Sequence, residues 1–372
     1  MDGAKINELK IYLDDPNLGD VEKEYLMKCI DSNFVSIVGP FVPKFEEEFA
    51  NFLNANKAVS VQSGTAALHI SLYELGIGQG DEVIVPSLTF IASVNPILYV
   101  GAKPIIVDVD PYTWNIDPAE IERAITPNTK AIIPVHLYGN PCHIEAIIEI
   151  ARKYNLYVIE DATESLGAIY KGKYTGTFGV LGCFSFNGNK IITTGGGGMV
   201  VTDEIERAEH IKFLVNQARD KSKGYYHPEM GFNYRMTNIE AVLGLAQMSR
   251  LEEFLGKKKT FRRIYQEILG DLPWIEFQRE YDEAESSYWF TCIKILNDID
   301  INELANSLIQ RGIPTRRIFM PTGEMPYLKQ YSKSCPNAIG IYNKGICLPS
   351  STLNSFETIE KVALILRRML GG

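Results

Sequence analysis

The sequence predicts an α/β fold: a mostly parallel central sheet with helices on both faces, followed by a smaller C-terminal α+β domain. Three observations predict it. From about Lys57 to Val201, short β-branched runs alternate with helical patterns, the signature of βα units. Most of those runs are continuously apolar, as strands buried on both faces are. Beyond about Leu272 the elements become fewer and shorter, which marks a change of architecture. The 372 residues suffice for a large and a small domain. We divide them at residues 1–255, including an N-terminal arm, and 256–372.

In chain order, the expected strands are 58–61, 82–85, 104–108, 131–135, 157–160, 182–186 and 199–202. The segments 65–75, 144–154 and 205–215 between them are amphipathic and read as covering helices. A long helical stretch follows at 238–269, where Ala241, Leu245, Met248 and Leu251 recur at helical spacing. The C-terminal part reads as a strand near 288–295, a helix near 301–310 and a final helix at 356–370. No internal repeat or low-complexity tract interrupts the series.

Composition narrows the function classes. With 45% hydrophobic and 22% charged residues, the chain is ordinary for a soluble protein. Its net charge of −9 repels a phosphate backbone, so no nucleic-acid partner is expected. A small anion can still bind local backbone N–H groups. The six cysteines (Cys29, Cys142, Cys183, Cys292, Cys335 and Cys347) form no CxxC pair and lie at no zinc-ligand spacing from a histidine. No metal is expected, and the thiols read as reduced in a cytoplasmic protein. Residues 1–15 are polar and lack a signal-peptide core, and no apolar run is long enough to span a bilayer.

Ligands bind open α/β sheets at the carboxyl ends of the strands, so four loops there form the candidate site. Ser63-Gly64-Thr65 follows the first strand and opens a helix. Small residues let N–H groups approach an anion, and Thr65 adds a hydroxyl; the plain alternative is an N-cap. Phe90, after the second strand, can lie on an aromatic cofactor or be a core phenylalanine. In Glu160-Asp161-Ala162-Thr163-Glu164, two adjacent carboxylates at a strand end are not expected to serve packing. Asp161 suits a protonated ring nitrogen, or a helix N-cap. Lys190 ends the loop that begins at Ser185 and precedes the glycine run 195–198. A lysine so placed can have its amine pKa lowered, which suits a nucleophile or a Schiff base. The alternative is an exposed lysine before a hairpin turn.

Taken in order on one sheet, the loops supply what pyridoxal 5′-phosphate (PLP) requires. These are a phosphate anchor, a face contact, a carboxylate for the ring nitrogen and an amine for the aldehyde. A nucleotide-binding α/β protein without PLP is the alternative, and it leaves Lys190 and Asp161 without a purpose.

The runs SGTAAL (63–68), GDEVIVPSLTF (80–90), VHLYG (135–139), EDATES (160–165), SF…K (185–190) and GFNYRM (231–236) occur in that order. As a set they resemble the DegT/DnrJ/StrS-type sugar aminotransferases over roughly residues 20–350. The resemblance implies a fold type I, aspartate aminotransferase-like PLP enzyme, usually a homodimer with shared sites. It also implies amino transfer from L-glutamate, leaving 2-oxoglutarate, to a ketone on a nucleotide-linked sugar. By position, Lys190 looks like the Schiff-base lysine, Asp161 like the partner of the pyridine nitrogen and Phe90 like the stacked ring. Gly64, Thr65 and Ser185 look like phosphate contacts, and Asn233 like the residue that reaches the phosphate from a neighbouring subunit.

Glu164 stands where family members often carry glutamine or histidine, near the phenolic oxygen of PLP. A carboxylate there is repelled unless its pKa is raised or a bridging group intervenes. Lysine at 190 separates the chain from the family's dehydratase branch, which has histidine there. EDATES together with SFNGNK resembles members that aminate C4 of UDP- or GDP-linked 4-keto-6-deoxyhexoses for bacterial surface glycans. Arg219, Lys221 and Lys223 in the segment 217–227, and the turn Gly39-Pro40, are further candidates for the substrate; a solvated loop is the alternative for the charge cluster.

Within the same fold, amination at C3 stays open. So does an amino-acid aminotransferase with Arg311, Arg316 or Arg317 on the α-carboxylate. A desulfurase needs a cysteine on a mobile loop, and none of the six stands out. A non-catalytic regulator has no need of both Lys190 and Asp161.

Overall fold

The apolar runs form strands because each is too short for a helix and buries side chains on both faces. In the computed structural model, which describes residues 10–371, seven of them build one sheet. They are β1 (Lys57–Val61), β2 (Glu82–Pro86), β3 (Lys103–Val107), β4 (Thr129–Ile132), β5 (Tyr157–Asp161), β6 (Leu181–Ser185) and β7 (Gly198–Thr202). The order is β1-β7-β6-β5-β4-β2-β3. The pairs from β3 through β2, β4 and β5 to β6 are parallel. β7 runs antiparallel to both β6 and β1, so the sheet is mixed toward one edge. The reading of residues 1–15 as free of a signal segment lies mostly outside the described residues.

Strand alternation sends side chains to both faces. Val59, Val61, Val83, Val85, Ala131 and Ile159 pack with Ala67 and Ile70 of the helix Gly64–Glu74 and with Ile211 and Leu214 of the helix Ile205–Leu214. Ile84, Ile132 and Val158 face the other way, onto Ile144, Ile147 and Ala151 of the helix Ile144–Tyr154. The glycine run ahead of β7 is not a plain hairpin turn. A Cβ on Gly198 would sit 2.6 Å from the Ser63 carbonyl carbon, so glycine lets β7 begin against the Ser63 loop.

The expected long helix is two helices, Asn238–Met248 and Leu251–Leu269. A Thr237–Glu240 capping box starts the first. At the break, Ser249 Oγ donates to the Ala246 carbonyl at 2.6 Å and the Arg250 guanidinium turns to Asn17 and Glu22. Leu245 and Leu251 still pack in one core across it, which is why the helical spacing ran on through the break. The expected boundary at 255/256 falls inside Leu251–Leu269.

Beyond that helix, β8 (Ile275–Phe277), β9 (Thr291–Ile295), β10 (Arg316–Arg317) and β11 (Gly345–Leu348) form an antiparallel sheet ordered β8-β9-β11-β10. Ile293, Ile346 and Leu348 bury against Phe261 and Tyr265 and against Ile359 and Val362 of the helix Phe356–Met369. β9 begins at Thr291 rather than near 288, because Tyr288 is left-handed, with φ 48°. The arm at residues 12–15 is strapped to this part of the chain. The Leu13 carbonyl accepts the N–H groups of Ser350 and Ser351 at 2.7 and 2.8 Å, and Asn354 exchanges bonds with the Tyr12 backbone. Among the described residues no helix is long and apolar enough to cross a membrane.

Candidate functional site

The loops after β1, β2, β5 and β6 open on a cavity of about 330 Å³, within the size range of small-ligand sites. Gly64, Thr65, Phe90, Asp161, Glu164, Ser185 and Lys190 all line it. Asn233 does not: it lies exposed on the strand-like segment that bridges Asn216.

At the β1 loop, both readings hold for different residues. Ser63 is the N-cap, its Oγ accepting the Ala66 N–H at 3.1 Å. The first helical bond runs from the Ala67 N–H to the Ser63 carbonyl, which leaves the N–H groups of Gly64 and Thr65 for an anion. A Cβ on Gly64 would lie 2.8 Å from Ser185 Cβ and 3.0 Å from Thr163 Cγ2. The missing side chain thus makes a cradle, and Thr65 and Ser185 edge it with hydroxyls. Phe90 is 53% exposed and sits 5.6 Å from Phe319, so it is not a core phenylalanine.

Asp161 is buried and held from two sides. Ser93 Oγ donates to its Oδ2 at 2.6 Å and the Thr163 N–H donates to its Oδ1 at 3.1 Å. Thr89 stands behind Ser93 at 2.7 Å. Asp161 caps no helix, since turns follow it. Its neighbour Glu160 corrects the reading of a carboxylate pair free of packing duty. Glu160 is fully buried and accepts the N–H groups of Gly176, Phe178 and Gly179 at 2.6–2.8 Å, and it pairs with His136 Nε2 at 3.0 Å. Because His136 Nδ1 accepts the Cys142 N–H, Nε2 carries the proton and donates to Glu160. Glu160 is therefore a structural anchor.

The Lys190 side chain is 13% exposed, which rules out an ordinary surface lysine. Burial lowers its amine pKa, against the pull of Glu164 and Asp161. Its Nζ lies 4.0 Å from Glu164 Oε1 and 3.9 Å from the centroid of the Trp289 ring. Glu164 Oε2 accepts the Tyr138 N–H at 2.8 Å. Burial pushes the Glu164 carboxyl up to about 7, with Lys190 and that N–H acting in the opposite sense. Tyr138 reaches this place through a left-handed backbone, φ 57°, and its hydroxyl accepts the Phe319 N–H at 2.9 Å. The VHLYG run held that signal.

Sequence reasoning missed Ser93, Asn189, Trp289 and Phe319, which also line the cavity. Arg316 lines it too, with its guanidinium on Asp14 at 2.5 Å, and Asn189 Nδ2 donates to the same carboxylate at 3.0 Å. Arg317 instead donates to the Tyr342 carbonyl. Gly39, Arg219 and Lys221 come together with Arg235 in a separate cavity of about 610 Å³, away from Lys190. All six cysteines are buried and free, and none lines the Lys190 cavity.

The model of the DegT/DnrJ/EryC1/StrS aminotransferase family matches residues 16–367. The chain is 45% identical over 345 residues to the GDP-perosamine synthase of Escherichia coli O157:H7, covering 92% of this chain and 94% of that protein. It is 40% identical over 366 residues to the GDP-perosamine synthase of Caulobacter vibrioides, covering 95% and 97%. The structure matches Spr1654 of Streptococcus pneumoniae in its PMP form with a TM-score of 0.91 at 26% identity, covering 97% and 98% of the two chains. Against the PLP form of Spr1654 the TM-score is 0.90 at 25% identity, with 98% and 100% covered. The chain belongs to the DegT/DnrJ/EryC1/StrS aminotransferase family and is a PLP-dependent sugar aminotransferase.

Proposed function

We propose that this enzyme moves the amino group of L-glutamate to the C4 ketone of a GDP-linked 4-keto-6-deoxyhexose, releasing 2-oxoglutarate, in the synthesis of a bacterial surface glycan. The observation that carries the reading is the Lys190 amine, largely withdrawn from water in a cavity that has an anion-binding helix N-terminus on one wall and Asp161 on another. Relatives at 40–45% identity named GDP-perosamine synthase support GDP over UDP. EDATES and SFNGNK support C4.

When bound, PLP supplies the electron sink that lets an amino group change carbons. The residues fit it. Gly64, Thr65 and Ser185 would take the phosphate, Asp161 the ring nitrogen and Phe90 the ring face, and Lys190 would hold the aldehyde carbon. By the family resemblance Glu164 would face the phenolic oxygen, and with its carboxyl raised to about 7 it could donate a proton there instead of repelling. Burial keeps the Lys190 amine more often neutral, so that its lone pair is free to take up a proton. Asn233, exposed and outside its own cavity, would reach the cofactor phosphate of a second subunit in a homodimer with shared sites. Six free thiols suit the cytoplasm.

The test is absorbance between about 300 and 500 nm. L-Glutamate should bleach the visible band of the holoenzyme, and Lys190→Ala should not respond. A GDP-linked 4-ketosugar should restore the band and yield an amino sugar. 2-Oxoglutarate restores it by reversing the first half-reaction; if UDP-linked sugars, or a 2-oxo acid other than 2-oxoglutarate, restore it as fast as the GDP-linked sugar, the substrate assignment fails.

A further inference from the structure

We propose that the face of Trp289 is a catalytic element of the amino transfer: it receives the ammonium that Lys190 becomes on taking a proton from the donor's Cα. This rests on the reading of Lys190 as proton carrier. In that step the Cα–H bond breaks, its electron pair stays with the substrate and cofactor, and Nζ gains the proton. Lys190 then gives the proton up at the cofactor carbon that takes the amino group, and ends neutral.

Three observations carry the inference. Lys190 Nζ stands 3.9 Å from the centroid of the Trp289 ring, well inside the distance at which an aromatic face attracts a cation, and indole is the strongest such face. The ring is fixed on every side. Its Nε1–H donates to the Asn189 carbonyl at 2.7 Å, Tyr138 stacks at 6.2 Å, and Phe290 meets it at 4.7 Å. The Trp289 carbonyl accepts the Nζ of Lys258, which is itself buried. A face so held is oriented before charge develops and costs no reorganisation when it does. Finally, among the described residues Glu164 is the one carboxylate within 4.0 Å of Nζ. Burial raises its carboxyl to about 7, so near neutral pH its charge is only partly present and the indole face shares the task.

Fluorinated tryptophans test this, since fluorine depletes the ring face while keeping its shape. The chain has three tryptophans, Trp114, Trp274 and Trp289. The cofactor-free protein is prepared with unsubstituted, mono-, di- and trifluorotryptophan. Acylation of Lys190 is followed against pH by peptide mass spectrometry. The Lys190 midpoint should fall stepwise, by about half to one pH unit across the series. In the holoenzyme, removal of the α-proton of L-glutamate should slow about 3- to 10-fold. Its α-deuterium isotope effect should grow and its KM should hold. In Trp289→Phe the fluorine dependence should vanish, which ties it to that ring. An unmoved midpoint, or a dependence that persists in Trp289→Phe, overturns the proposal. Because the labelling uses neither sugar nor cofactor, it stands apart from any failure of the substrate assignment.

Discussion

Replacing Glu164 by glutamine separates charge from shape at a position where the family often carries an uncharged or basic side chain. Glu164 is 3% exposed. Desolvation outweighs the attraction of Lys190 and the Tyr138 N–H and moves the carboxyl from 4.5 to about 7. At about 1.4 kcal/mol per pKa unit, the charged form costs the folded state about 3 kcal/mol. The sign follows from proton counts. Between those two values the folded chain keeps a proton that the unfolded chain has lost. Stability from this group is full below 4.5, declines as pH rises through the interval and is gone above about 7. Glutamine keeps an acceptor for the Tyr138 N–H and does not titrate. Urea unfolding of the cofactor-free proteins should therefore favour Glu164→Gln increasingly from about pH 5 to about pH 8, reaching about 3 kcal/mol, a large share of a typical total of about 5–15 kcal/mol. With PLP bound, the pH dependence of the visible band should move in the same variant. Parallel stability curves together with an unmoved band would refute the idea that burial holds Glu164 protonated.

Two further outcomes follow from the same structure. Gly64→Ala puts a methyl 2.8 Å from Ser185 Cβ, inside the anion cradle; titration of the cofactor-free protein should show PLP affinity reduced about tenfold or more, and undiminished affinity would move the phosphate site elsewhere. Among the described residues no carboxylate lies at hydrogen-bond distance from the buried Lys258, which donates to the carbonyls of Trp289 and Ser350, and burial lowers its amine from 10.5 to about 7. Here the unfolded chain binds the extra proton, so wild-type stability should rise by about 1.4 kcal/mol per pH unit between those values relative to Lys258→Met, a slope that urea unfolding would detect or exclude.

The strands were legible because most are short, largely apolar runs of four or five residues, such as Glu82–Pro86 and Lys103–Val107, too short for a helix and flanked by turn residues. The loops were legible because a parallel sheet sends its strand ends to one side, so that Ser63 to Thr65, Asp161 to Glu164 and Ser185 to Lys190 had to meet. What failed was any contact drawn from far along the chain. Ser93, Trp289 and Phe319 line the cavity from a short turn after β2 and from the C-terminal part of the chain, and Asp14 of the N-terminal arm holds Arg316, which the sequence offered only for an amino-acid substrate, at its edge. None of them lies in a run whose pattern announces a site. The helix break at Ser249 was invisible for a related reason, since Leu245 and Leu251 stay in register with one core across it.

The Glu160–Asp161 pair is the instructive error, because the rule that corrects it was available in the sequence. Adjacent residues of a strand point to opposite faces. If Asp161 faces the cavity, Glu160 must face away from it, into whatever packs beneath the sheet. A buried carboxylate there must be saturated with donors or be expelled. The chain supplies them with His136 from the loop after β4 and three consecutive-region N–H groups at 176–179. Those same bonds tie the segment after Tyr174 under the end of β5 and fix the strand that presents Asp161. One carboxylate thus holds the strand end in place while the next faces the cavity, and the two placements follow from strand alternation before any cofactor is considered.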